Sequence, residues 1–250
     1  MALITPKWPL PAHVHAVITT RKGGVSQSPF DGFNLGDHVG DSVQAVAANR
    51  AQLGESVNGV LYWLNQTHST DVVNLDELTQ TPCGPFEGDA SVTTQPGRAC
   101  VVMTADCLPV LFCDDEGKQV AAAHAGWRGL LNGILENTLK TFRFPDRVTA
   151  YLGPAIGPSA FEVGGEVRQA FVERDGAASQ YFVPSENPDK WLCNLYGIAK
   201  ERLTSLSVKA VFGGDACTYS DREAFYSYRR DGQTGRMASV IWIDPKTPEI

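Results

Sequence analysis

The sequence predicts one α+β domain, with helices packed outside a mixed β-sheet system. Three observations lead to this class. Strand-like segments outnumber helical ones, no linker-like stretch divides the chain, and the 250 residues are 43 % hydrophobic and 20 % charged, as is typical of a globular protein. A chain of this length buries roughly 70 to 75 % of its unfolded surface as a single unit. We therefore interpret residues 1–250 as one domain.

Apolar and β-branched runs bounded by turn residues predict the strands. They lie at residues 14–20, 61–66, 72–75, 99–104, 108–113, 119–124, 148–152 and 208–212. The last strand, 238–243, follows the turn-rich segment RRDGQTGR, and we expect it to form a hairpin with residues 225–228.

Apolar residues at three- and four-residue steps predict the helices. They lie at residues 43–53, with Ser42 as the cap, at 131–142 following Gly129, at 166–174 and at 195–206.

The charge balance argues against a nucleic-acid partner. The chain has 21 basic and 28 acidic residues, a net charge of -7, and its Lys and Arg residues are scattered apart from the pairs Arg21-Lys22 and Arg229-Arg230. Nucleic-acid binding requires a basic face, which this pattern does not predict. The N-terminus lacks a signal-peptide pattern, and no stretch approaches about 18 consecutive apolar residues, so we expect a cytoplasmic protein with no membrane contact.

The six cysteines follow no metal-ligand or disulfide spacing as a set. They are Cys83, Cys100, Cys107, Cys113, Cys193 and Cys217, with no C-x-x-C pair among them. Free cysteine is among the most buried residue types, so we expect most of them to be buried thiols.

Cys107 stands apart because it is predicted to lie near His124. If residues 108–113 and 119–124 pair as an antiparallel hairpin with Cys113 opposite Gln119, position 107 falls opposite 125. A thiolate and an imidazole at that separation suit either one small cation or a nucleophile and its base.

His68 is the best candidate for a third metal ligand, because it follows a predicted buried strand. Two histidines and a cysteine would leave zinc an open coordination position for water. The alternative is that both histidines are ordinary hydrogen-bonded residues. Arg128, in the AGWRG segment before a helix, is either part of an anion site or a solvated surface arginine.

Six segments stand out, in order and spanning most of the chain: TRKGGVSQSPFDGFNLGDHVGD, QTHSTDV, MTADCLPVLFCD, AAAHAGWRGLLNGILE, YLGPAIGPSAFEVGGEV and FGGDACTYSDREAFYSYRRDGQTGRMAS. Together they closely resemble the YfiH family, also called laccase-domain or polyphenol-oxidase-like proteins. The resemblance implies a layered α/β/β/α sandwich. It also implies a zinc-dependent enzyme that phosphorolyses adenosine, inosine and methylthioadenosine and deaminates adenosine. The family's ligands fall on His68, Cys107 and His124.

The resemblance also suggests which residues contact the substrate. Arg21 and Asn34, in the matching TRKGGVS and FNLG blocks, and Arg128 are candidates for phosphate or ribose contacts. Each of them could instead fix a loop. For deamination, Asp106 or Asp71 is a candidate for the acid that protonates the leaving amine.

Three other functions remain open at this point. Cys107 and His124, with Asp106 or Asp71, could form a hydrolase site, and the family has been linked to editing of peptidoglycan precursors. A polyphenol oxidase would use copper in the same site, although five histidines are too few for a blue-copper centre and a multinuclear cluster together. A structural zinc would need a fourth ligand, for which His38 is the candidate.

Overall fold

The computed structural model describes residues 1–78 and 84–245, which form sixteen strands and six α-helices. The strands are β1 Leu3–Ile4, β2 Val14–Thr19, β3 Val60–Tyr62, β4 Leu64–Asn65, β5 Val72–Asn74, β6 Phe86–Glu87, β7 Ala90–Thr93, β8 Arg98–Thr104, β9 Leu108–Asp114, β10 Val120–Ala125, β11 Val148–Leu152, β12 Glu162–Gly164, β13 Phe182–Pro184, β14 Lys190–Cys193, β15 Ala210–Gly213 and β16 Met237–Ile243. The helices are α1 Val43–Gly54, α2 Trp127–Asn132, α3 Ile134–Leu139, α4 Gly165–Arg174, α5 Leu195–Ser205 and α6 Tyr228–Asp231, with 3-10 turns at Leu75–Glu77, Pro145–Arg147 and Gly176–Tyr181.

Two large mixed sheets form the centre of the molecule. One has the strand order β1-β2-β16-β8-β3, and the other has the order β15-β11-β9-β10-β7-β5. A two-stranded sheet, β4-β6, and a three-stranded sheet, β12-β14-β13, complete the described strands. The α+β prediction is therefore confirmed.

Side chains that alternate along the strands build three apolar layers. In β9, Leu111 and Cys113 pack with Ile241 of the other sheet, whereas Val110 and Phe112 face the opposite way, toward helices α2 to α5. A third layer joins the outer face of the five-stranded sheet to α1. The order helix, sheet, sheet, helix is the layered sandwich that the family resemblance implied.

The hairpin of β9 and β10 forms, but the predicted register is wrong by one residue. Val120 pairs with Cys113 and Ala125 with Leu108. The turn uses four residues, 115–118, because Gly117 adopts a φ of 67° and the Asp114 amide donates to the Gln119 carbonyl at 3.2 Å. Extended by one pair, this register places Cys107 opposite Gly126 and not opposite Ala125.

Two other predictions near the site are corrected. The helix begins at Trp127, before Gly129, and is interrupted at Gly133, whose φ is 110°. The expected hairpin at 225–228 is wrong, because β16 lies between β2 and β8, which use both of its edges. Residues 225–227 form neither strand nor helix, and Tyr228 begins the short helix α6.

Two further findings concern the chain as a whole. Within residues 1–78 and 84–245, no helix has both the length and the apolar character that membrane crossing requires. The five described cysteines are free thiols, and three of them are buried, whereas Cys83 lies outside the described residues.

Candidate metal centre and its cleft

The structure brings the three predicted metal ligands together at one end of the sandwich. One donor atom from each of His68, Cys107 and His124 lies within 4.8 Å of the others, and the Cys107 Sγ to His68 Nε2 distance is 3.6 Å. For tetrahedral zinc, bonds of about 2.3 Å to sulfur and about 2.05 Å to nitrogen place those two donors about 3.6 Å apart. The donor set and this sulfur–nitrogen distance therefore fit a zinc-sized ion.

Chain geometry positions each ligand. Cys107 lies in the connection between β8 and β9, and His124 lies in the buried strand β10. His68, in the loop after β4, has a φ of 63°, which is unusual for a side chain larger than glycine. Gly126 allows the ligands to approach, because a Cβ there would lie 2.6 Å from His68 Cδ2 and 3.0 Å from Cys107 Sγ.

A buried carboxylate, Asp89, organises both histidines. Its oxygens accept hydrogen bonds from the amides of Thr67 at 3.1 Å, His68 at 3.0 Å and Ser69 at 2.7 Å. One oxygen also lies 2.7 Å from Nδ1 of His124. The carboxylate thereby holds the strained His68 loop and keeps the proton of His124 on Nδ1, which leaves Nε2 free to bind a metal.

Asp89 is not among the residues predicted from the sequence. The strand that follows it, β7, is not among the predicted strands either, so no local pattern marked this aspartate. Its role depends on residues some 20 to 35 positions away, because the loop at 67–69 and strand β10 converge on it only in the fold.

Electrostatics favour a thiolate at Cys107. Burial by itself raises the pKa of the thiol, but the His124 charge and hydrogen bonds from His124 and His68 outweigh burial and lower that pKa. For His124, burial lowers the pKa, and the Cys107 thiolate and Asp89 together raise it overall. The metal-free chain therefore favours a thiolate–imidazolium pair, and its sulfur is already in the anionic form that binds metal.

A cleft of about 470 Å³ opens over the three ligands. Its walls combine aromatic, cationic and neutral polar side chains: His38, Gln66, His68, Met103, Thr104, Ala105, Cys107, His124, Trp127, Arg128, Tyr228 and Arg236. Within the part of the chain that the structure describes, no Asp or Glu lines it, although the protein carries a net charge of -7. The described lining thus includes two arginines and no carboxylate in an acidic protein, which favours an anionic ligand.

Of the three predicted substrate residues, only Arg128 lines this cleft. Its guanidinium carbon lies 4.4 Å from the centre of the Trp127 ring. Arg21 instead places its guanidinium 4.8 Å from the Tyr226 ring and donates a hydrogen bond to the Arg222 carbonyl at 3.4 Å. Arg21 is thereby packed into the loop structure, and its predicted phosphate contact stays a prediction.

Asn34 has no exposed surface. Its amide nitrogen donates to Asp41 at 2.8 Å and to the Gly36 carbonyl at 3.2 Å. Its amide oxygen accepts from the backbone amides of Gly36 and Arg236, each at 2.9 Å. In this conformation Asn34 supports the cleft by fixing the backbone of Arg236 and does not present its own side chain to a ribose.

The two aspartates predicted to act as acids have different surroundings. Asp106 accepts hydrogen bonds from the Thr218 hydroxyl and the Arg229 amide, both at 2.6 Å, so its carboxylate anchors α6. Asp71 is exposed, and its carbonyl accepts the amides of Asp89 and Ala90. A proton-transfer role for either residue stays a prediction.

His38 lines the cleft but does not complete a four-ligand site. Its Nδ1 lies 3.5 Å from the Asp37 carboxylate, and the metal-binding group found within residues 1–78 and 84–245 has three members. A site with three protein ligands that faces a cleft resembles catalytic zinc sites more than closed structural ones.

Comparisons with known proteins place the chain in a family. A family model described as multi-copper polyphenol oxidoreductase laccase matches residues 15–244. The chain is 52 % identical to a purine nucleoside phosphorylase of Pseudomonas aeruginosa, with 97 % of this chain and 98 % of that protein covered. It is 51 % identical to the purine nucleoside phosphorylase YfiH of Escherichia coli, with coverages of 96 % and 98 %.

A solved structure extends the likeness to three dimensions. The crystal structure of a Neisseria meningitidis protein matches with a TM-score of 0.93 and 49 % identity, over 98 % of this chain and all of that one. Family model, relatives and fold agree over nearly the whole length, as the six sequence segments predicted. The chain belongs to the laccase-domain family, also known as the YfiH family.

Proposed function

We propose that this protein is a metal-dependent purine nucleoside phosphorylase. The observation that carries the proposal is the cleft, in which an open His-Cys-His site faces unneutralised arginines and aromatic rings. Relatives of about half-identical sequence that bear this name support it.

The reaction breaks the C1′–N9 bond of the nucleoside while a phosphate oxygen forms a bond to C1′, and the purine leaves with a proton. An arginine of the cleft would hold the phosphate. Trp127 and the exposed ring of Tyr228 would flank the planar purine. The carboxylate of Asp89 would keep His68 and His124 oriented, and a bound zinc would supply Lewis-acid chemistry at the open position.

We extend the proposal to adenosine, inosine and methylthioadenosine as substrates and to adenosine deamination in the same cleft. Deamination needs an activated water beside C6 of the purine, which the open coordination position would serve. Zinc is the proposed metal, because two imidazoles and one thiolate are a typical zinc donor set.

Purine release is the direct test. The purified protein should release base from inosine only when phosphate is present and yield ribose 1-phosphate, and elemental analysis should find about one zinc per chain. His68→Ala should abolish release and metal binding together. Base release that is independent of phosphate, or release by a metal-free wild type, would contradict the proposal.

A cysteine hydrolase acting on peptidoglycan precursors is a second candidate. Asp89 bonded to His124 beside Cys107 has the composition of a Cys-His-Asp triad, with Asp89 in the orienting position where Asp106 or Asp71 was predicted. Cys107→Asp separates the two candidates, because a carboxylate still binds zinc but cannot form a thioester. We expect this variant to retain zinc and measurable nucleoside turnover, and a zinc-loaded, folded but inactive variant would favour the hydrolase.

Copper oxidase chemistry is the third candidate, and its support is weak because it rests on the family description alone. A multi-copper centre needs more ligands than the one three-member group found in the described residues. Polyphenol oxidation by this chain would therefore depend on copper that occupies the zinc-type site.

A further inference from the structure

The cleft over the ligands has a side chamber. A second cavity, of about 290 Å³, is lined by His38, Val39, Tyr228, Gly232, Gln233, Thr234 and Arg236. Three of these residues, His38, Tyr228 and Arg236, also line the main cleft. The two spaces therefore adjoin, and Arg236 stands at their junction.

Arg236 is held rigidly but its charge is not neutralised. One terminal nitrogen donates to the carbonyls of Thr234 and Gly235, each at 3.0 Å, and the backbone amide is bound by Asn34. Among the described residues, no carboxylate lies within ion-pair distance of its guanidinium, whereas the nearby Arg50 pairs with Asp37 at 3.2 Å. Several of its five N–H donors remain for a ligand.

Burial makes that unpaired charge costly. Partial burial lowers the pKa of Arg236, while Cys107, Asp106 and Tyr228 act in the opposite direction without reversing the shift. A desolvated cation without an ion-paired carboxylate destabilises the free protein, and a bound anion relieves the cost.

Two neutral donors flank the guanidinium. Thr234 is 2 % exposed, and its hydroxyl has no hydrogen-bond partner among the described residues. His38 lies in the same wall, where burial and the charge of Arg236 lower its pKa overall despite the hydrogen bond and charge of Asp37. A guanidinium, a hydroxyl and an imidazole are donors that suit a tetrahedral oxyanion.

We propose that Arg236, with His38 and Thr234, binds the phosphate co-substrate at the junction of the two cavities. This inference rests on the proposed function, because it assigns one reactant of that reaction. Arg128 lines the main cleft but not the side chamber, so the wall formed by Trp127 and Arg128 is left for the nucleoside.

The test is Arg236→Met, which removes the charge but keeps an unbranched stem against Gly36. The matched control is Arg143→Met, at an exposed arginine that lines a different cavity. Losing a charge-assisted contact should raise the KM for phosphate by about 10-fold to 100-fold, with the KM for inosine nearly unchanged, and the control should match the wild type. A higher KM for inosine with an unchanged KM for phosphate would overturn the assignment.

Thr234→Val provides a second test in case Arg236→Met does not fold. Valine has a similar shape, and the hydroxyl it replaces has no hydrogen-bond partner to lose among residues 1–78 and 84–245. We expect this variant to melt like the wild type and to raise the KM for phosphate severalfold. A KM for phosphate that neither this variant nor a folded Arg236→Gln changes would also overturn the inference.

Binding of inorganic phosphate alone separates this inference from the proposed function. Phosphate should raise the Tm of the wild type and of Arg143→Met but not of Arg236→Met. If that pattern holds while the wild type releases no purine, the anion site stands and the phosphorylase proposal fails. If release requires phosphate but Arg236 variants bind and use it normally, the phosphorylase proposal stands and the site assignment fails. If AMP but not inorganic phosphate gives the Arg236-dependent shift, the site holds a nucleotide and not the co-substrate.

Discussion

Gly126→Ala should disable the metal centre without unfolding the protein. The backbone of Gly126 has φ -59° and ψ 159°, which alanine adopts without strain, so the effect of the change is purely steric. The added methyl would lie 2.6 Å from His68 Cδ2 and 3.0 Å from both Cys107 Sγ and His68 Nε2.

The size of the clash sets the expected effect. Carbon atoms in contact prefer a separation of about 3.5 Å, so the His68 ring must move by about 0.9 Å. Metal sites tolerate ligand displacements of about 0.2 Å, less than a quarter of that movement. We therefore expect zinc affinity to fall by at least about 100-fold, which is the upper range for disturbing residues that only support the ligands.

Zinc titration against a competing chelator measures this affinity, and circular dichroism with thermal melting checks the fold. Gly54→Ala is the matched control, because a methyl group there meets no heavy atom within 4 Å. The steric reasoning fails if Gly126→Ala is folded and binds zinc as tightly as the control. Unfolding of Gly126→Ala alone would show that the packing of this loop, more than the position of the ligands, depends on the glycine.

Three further outcomes are expected. Asp89→Asn should weaken zinc binding about 10-fold to 100-fold. Because a buried charge partner is lost, it should also lower the free energy of unfolding by about 3 kcal/mol in urea titrations. Unchanged zinc affinity would contradict the role of Asp89 in positioning the histidines. His68→Ala should lose zinc but keep its circular dichroism spectrum, and loss of the folded state would favour a structural metal. Asp76→Asn should lower the free energy of unfolding by about 1 kcal/mol at pH 7, because two threonine hydroxyls and an amide bind the carboxylate. Burial raises the pKa of Asp76, but these bonds and Arg98 outweigh burial and lower that pKa overall. The stabilisation is therefore present above the unfolded-state pKa of about 3.9, and the difference in unfolding free energy between wild type and Asp76→Asn should shrink as the pH falls below about 4. A difference in unfolding free energy that is constant with pH would refute the assignment.

Local residue patterns were sufficient to predict many of the strands and the metal ligands. Strands such as β8, β9 and β10 are continuous apolar runs because both of their faces are buried between other layers, and burial of this kind is visible in a single segment. Cys107 and His124 belong to one hairpin, so their proximity followed from a short turn even though the register was wrong by one residue. His68 required the additional observation that it follows a strand.

The tertiary structure alone decided which residues surround the ligands. The site is shaped from separate parts of the chain by Asp89, Gly126 and Arg236. A periodic pattern of residues predicts local structure but not a contact between distant segments. Asn34 was predicted to contact substrate for the same reason. Its family-like motif is visible in the sequence, but its complete burial is visible only in the structure. Sequence determines which side chains are suited to bind a metal or a phosphate, whereas the folded packing determines which of them face the cleft and which are used up by hydrogen bonds to their neighbours.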